Sequence, residues 1–157
     1  MPNHCYNRVT LSNNGDDDSK QFDELVAKFQ SDRPFSKILP QPDFSKIKNE
    51  DGELPVVHEH KNDKGEVMFT TSEFPKSGKS DSRWYDWNIN NWGTKWDAYD
   101  KCDDDIDLEG EYAVFTFNTA WGPAEGIYQY ITDHFPDVGV SWFYDEPGCE
   151  IAGYLPN

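Results

Sequence analysis

Four of the six tryptophans and two of the eight tyrosines of this 157-residue chain fall within Trp84–Asp100, and no other stretch restricts the fold as much. Each such ring brings about 150–250 Å² of surface that favours burial, and each indole N–H needs an acceptor. The segment is therefore either the joint of a core or a binding surface. Its first half, residues 83–91, reads as a short helix or turn with Trp84 and Trp87 on one face at i, i+3. Its second half, residues 94–100, reads as a strand with Lys95, Asp97 and Tyr99 on one side and Trp96 and Ala98 on the other. On this pattern Trp96 is a core residue, and Trp92, ahead of Gly93, is the tryptophan expected to reach solvent.

The aromatics also answer a deficit. Only 36% of the residues are hydrophobic, so the ten Phe, eight Tyr and six Trp must supply much of the buried area. The length suits a single domain. Thirty acids against 14 bases give a net charge of −16, which repels nucleic-acid backbone and attracts basic partners. Direct nucleic-acid binding is thus not expected. Three cysteines without a CxxC pair, and no secretory signal, indicate a reduced, cytoplasmic setting. No apolar run approaches the roughly 18 residues of a membrane span.

Along the chain, residues 5–12 alternate as a strand, with Cys5, Asn7, Val9 and Leu11 on one face. Phe22, Leu25, Val26 and Phe29 then form the stripe of a helix over about 19–30. From 34 to 83 the pattern dissolves into a long insertion, with a hairpin expected at 56–59 and 66–71 around Asn62-Asp63-Lys64-Gly65. An acidic link at 103–110 precedes a strong central strand at 111–119. Trp121-Gly122-Pro123 opens a second helix whose stripe is Ala124, Ile127, Tyr128 and Ile131. Strands at 138–144 and 149–154 finish the chain. The order is that of an α+β, ferredoxin-like β-α-β-β-α-β sandwich with an extra C-terminal edge strand and an insertion at about 34–83.

Several segments carry a family resemblance: Met1-Pro2-Asn3-His4-Cys5-Tyr6-Asn7 at the start, Phe35–Pro42, the Trp84–Trp96 block, Thr119–Pro123, and Glu146-Pro147-Gly148 followed by Gly153. In this order and over nearly the whole chain they resemble the YubB ferredoxin-like domain proteins, and Asn91–Asp97 is the most specific of them. His4 departs from the pattern, which has Trp there. The resemblance implies a small protein of a phage, plasmid or related mobile element, with no cluster or other cofactor and no catalytic residue to carry over. It implies a setting in the infected or host bacterial cell.

Two kinds of site follow. Trp84, Trp87, Asn91, Trp92, Lys95 and Trp121 are candidates for a stacking platform that takes a nucleotide or another small ligand, with Arg83 or Lys95 as counter-charge. Asp103, Asp104, Asp105, Asp107 and Glu109 form a candidate acidic surface that imitates phosphates and occupies a basic groove on a host or defence protein. The same acids fail as an EF-hand, because Leu108 stands where the loop needs Gly and Val114 where it needs Glu. His58 and His60 share a strand face without a second pair of ligands, so no metal site is expected. No catalytic constellation stands out, and the expected molecule is a non-enzymatic monomer or homodimer.

Overall fold

The computed structural model describes residues 2–156; Met1, the first residue of the opening motif, and Asn157 lie outside the described residues. The chain is α+β with two antiparallel sheets and divides into two compact units, Gln41–Trp87 and the remainder. The division redistributes charge. Gln41–Trp87 holds ten acids and seven bases, which leaves 20 acids against seven bases in the larger unit.

The larger unit is built on β1 (His4–Asn13), whose alternation buries Cys5, Asn7, Val9 and Leu11 as expected. β6 (Tyr112–Ala120) and β7 (Val138–Glu146) flank it, so that Val9 stands opposite both Phe115 and Trp142. β5 (Tyr99–Ile106) and β8 (Ile151–Tyr154) are the two edges, giving the order β5-β6-β1-β7-β8. The stripes of α1 (Gln21–Gln30) and α4 (Glu125–His134) lie in the core with the buried side chains of the sheet. Phe29 stacks on Phe115 at 5.2 Å, and Trp142 meets Phe117 edge-on at 5.7 Å. The sheet side of this core also holds a polar knot. Trp142 Nε1 donates to Asn7 Oδ1 at 2.9 Å, and Asn7 Nδ2 donates to Thr119 Oγ1 at 2.8 Å.

The short α2 (Pro34–Ile38) begins on Pro34, whose missing N–H costs nothing in the first turn. Its free amides are satisfied by Asp97. That carboxylate, 7% exposed, accepts from the N–H groups of Phe35 and Ser36 at 2.9 Å each and from Ser36 Oγ at 2.8 Å.

The strand expected at 94–100 begins five residues later, and residues 93–96 are bends. The acidic link expected at 103–110 is therefore partly strand, since β5 includes Asp103, Asp104 and Asp105. Charge in a row lowers strand propensity, but at a sheet edge both faces can stay hydrated.

In the smaller unit, β2 (Val56–Lys61), β3 (Val67–Phe74) and β4 (Lys79–Ser80) form a three-stranded sheet. Asn62 Oδ1 accepts from the amides of Lys64 and Glu66 and closes the expected turn, with Gly65 at φ +80°. Most of the hairpin is exposed on both faces. The unit is tied together by Arg83. Its guanidinium holds Asp81 through Nε at 2.9 Å and Nη2 at 2.8 Å, donates to Phe44 O at 2.8 Å, and lies over the rings of Phe44 and Phe74. The hydrogen bond from Arg83 holds the Asp81 carboxyl below its ordinary range. Arg83 is thus committed to structure and is not a counter-charge for a ligand.

Candidate functional site

α3 (Arg83–Trp92) carries the first three tryptophans of the aromatic block. Trp84, 38% exposed, meets Tyr85 edge-on, and Trp87 is half-buried; both belong to the Gln41–Trp87 unit. Asn91 and Trp92 belong to the larger unit, as do Lys95 and Trp121.

The expectation for Trp92 and Trp96 is reversed. Trp92 is fully buried, donates through Nε1 to Leu39 O at 2.9 Å and packs edge-on against Phe35 at 5.9 Å. It shares the buried face of α3 with Asn88, four residues earlier, whose amide donates to Lys95 O at 2.7 Å. Trp96 sits on a bend instead of a strand and is 40% exposed. Trp92 therefore cannot belong to a stacking platform.

The block Asn91–Asp97 proves to be a structural joint. Gly93, at φ +85°, ends α3, and its N–H reaches the carbonyls of Asn88 and Ile89 at 3.2 Å each. Thr94 is buried and donates to Ala120 O at 3.0 Å. Asp97 caps α2. Four of its seven residues, Trp92, Gly93, Thr94 and Asp97, thus have direct architectural tasks. Of the other three, Asn91 is half-buried at the end of α3, and Lys95 lies against Trp96 with the ammonium 4.3 Å from the indole centroid.

Around them the fold gathers two more segments. Thr94 ties this turn to the end of β6, and the N–H of Trp121 donates to Asn3 O at 2.9 Å, next to the start of β1. Trp121 has φ +71°, a conformation costly for a bulky residue, and its indole is 51% exposed. His4 Nδ1 and the Tyr99 hydroxyl are hydrogen bonded at 2.5 Å, and the Tyr99 ring meets Trp96 edge-on at 6.3 Å. Burial, then the charge of Asp100, raises the Tyr99 pKa. Sequence reasoning left His4 and Tyr99 out of the site. The signal was present for His4, which lies with Tyr6 and Arg8 on the face of β1 opposite the core.

The acidic candidates occupy the β5 edge and the turn that follows it. Asp103, Asp104, Asp105 and Glu109 are exposed, and Asp107 is half-buried. Asp105 accepts from the Tyr112 hydroxyl at 3.2 Å, and Asp107 from the N–H of Glu111 at 3.0 Å. Among the described residues none of these five acids makes an ion pair. Lys101, in the same strand, donates to Ser31 O at 2.6 Å just past the end of α1. A shallow depression of about 590 Å³ runs beside the strand, lined by Gln30, Asp32 and residues 98–103.

Neither of the thiols with a shifted pKa is poised for attack. Burial pushes Cys5 up to about 11, and the hydrogen bond to Glu146 raises Cys149. Among the described residues no three His, Cys, Asp or Glu side chains form a metal-binding group. Nor, among them, is any helix long and apolar enough to cross a membrane.

Glu146 offers a pH test. It is fully buried, and hydrogen bonding from Cys149, joined by the amides of Cys149 and Gly148, holds its carboxyl below the ordinary value of 4.5. Its contribution to stability is complete above about pH 4.5 and is lost as pH falls through the lowered folded value. Denaturant midpoints of the native chain and Glu146→Gln should therefore differ most at neutral pH and converge in acid. A gap that widens in acid would contradict the assignment.

No family model matches the chain, and no curated protein or solved structure matches it.

Proposed function

We propose that this chain is a non-enzymatic accessory protein of a phage or mobile element that binds a basic surface of a host or defence protein through its acidic face. The reading is carried by one observation: Asp103, Asp104, Asp105, Asp107 and Glu109 lie along an edge strand and its turn, and among the described residues no cation is paired to them. Unpaired charge of one sign steers a partner of the other sign. The concentration of 20 acids in the larger unit adds to that field. We further read the larger unit as ferredoxin-like. The order β5-β6-β1-β7, with α1 and α4 between strands that are not neighbours, supports a split β-α-β arrangement to which β8 adds an edge. The setting would be the cytoplasm of the bacterial cell, as a monomer or homodimer, without direct contact to nucleic acid.

The expected result is capture of a basic protein from bacterial lysate at low salt, with affinity falling steeply as salt screens the charges. Asp103→Asn, Asp104→Asn and Asp105→Asn combined should weaken that capture severalfold. A partner whose affinity ignores both salt and the triple substitution would end this reading.

The position of Lys95 over exposed Trp96 favours a second reading, a nucleotide-binding protein with an aromatic platform of Trp96, Trp121, Tyr99 and His4. Tryptophan fluorescence titrated with a nucleotide panel should then be quenched in the native chain and much less in Trp96→Leu. Unchanged emission with every nucleotide would remove it.

A further inference from the structure

We infer that the β5 edge takes up an extended, basic segment of a partner protein by strand addition. The inference rests on the acid-mediated binding proposed above and specifies its mode. Among the described residues β5 pairs only with β6, so the backbone groups on its outer side have no strand partner there. An open edge of eight residues is a template for another chain unless something blocks it. Here the block is selective. A second copy of β5 would set Asp103, Asp104 and Asp105 against their like, and like charges across a ladder are destabilising. A strand bearing Lys or Arg meets the opposite condition, and the acids that exclude self-pairing would hold it.

Space for such a chain is present. The 590 Å³ depression is lined by Ala98–Asp103 together with Gln30 and Asp32. The ladder with β6 is irregular there, with register breaks between Tyr99 and Cys102 and between Asp103 and Asp105. Such breaks twist an edge and discourage long, indiscriminate pairing. Lys101 does not compete for the acids, because its ammonium is held at Ser31 O. The other edge, β8, has four residues and no acid. Length, charge and room all favour β5. Strand addition draws affinity from main-chain hydrogen bonds and specificity from alternate side chains.

The test uses the whole chain and two synthetic peptides, one alternating Lys with Val and one identical but N-methylated at every amide, so that neither edge of it can donate. The first should bind at low salt and slow amide hydrogen exchange across residues 99–106. N-methylation should weaken binding about tenfold or more, because several hydrogen bonds are lost together. Equal binding of the two peptides would overturn strand addition and leave the acid-mediated reading standing. Protection at residues 151–154 in place of 99–106 would overturn it too. Binding of neither peptide would also overturn it, while the salt dependence of lysate capture would judge the acid-mediated reading separately.

Discussion

A Trp142→Ala variant is expected to lose about 3–5 kcal/mol of stability, the range for truncating a large aromatic in a packed core. The residue is fully buried and stands opposite Val9 on the central strand. It touches Phe29, Phe117 and Tyr128, so its removal opens a hole where α1, α4 and the sheet meet. It also leaves the buried Asn7 Oδ1 without its donor. Trp142→Phe separates the two effects. It keeps much of the ring and deletes the N–H, and should cost about 1–3 kcal/mol for a stranded acceptor. Urea unfolding measures both. A loss below about 1 kcal/mol for Trp142→Ala would be incompatible with a closed core at this position.

Gly126→Ala should be the next most damaging change, and its sign runs against helix propensity. In the first turn of α4 an alanine would ordinarily gain up to about 1 kcal/mol over glycine. Here a Cβ would stand 2.0 Å from Asn91 O and 2.7 Å from its carbonyl carbon. Those atoms are backbone of α3, and the opposing Gly93 is close as well, since its own Cβ would lie 2.9 Å from the Glu125 nitrogen. Neither helix can yield by rotating a side chain. The expected cost is about 3 kcal/mol, at the upper end for overpacking. Gly122→Ala is the control, because a Cβ there meets nothing within 4 Å. If denaturant midpoints show Gly126→Ala to be neutral or stabilising, the helices are not in contact at this point.

Much of the fold was legible because period and burial agree. Val9 and Leu11 alternate with polar neighbours, and Phe22, Leu25 and Phe29 recur at helical spacing; all five are buried. The aromatic block was harder for a physical reason. Period two predicts an inward Trp96, but most of residues 94–100 lie outside any strand, where that period has no hold. The true partner of Trp92 was Asn88, a polar residue that hydrophobic patterning passes over, and its burial depends on a hydrogen bond to Lys95 O. The acids of β5 were hidden as loop because strand propensity describes half-buried surfaces, whereas this edge is solvated. Of the ligand candidates, Lys95 and Trp121 remain exposed or half-exposed at one end of the sheet, and sequence spacing gave no means of joining them to His4 and Tyr99.

The hydrogen bond from Trp92 Nε1 to Leu39 O has an evolutionary consequence. Leu39 is the penultimate residue before the Gln41–Trp87 excursion, and Trp92 lies shortly after the chain returns. One indole therefore pins the neck of a 47-residue detour. With its ends fixed by the larger unit, a detour twice as long would cost only about 0.6 kcal/mol more in closure entropy. Selection can thus lengthen, shorten or exchange what lies between without disturbing the sheet, so long as the tryptophan stays. The neck is a port at which new segments can be tried.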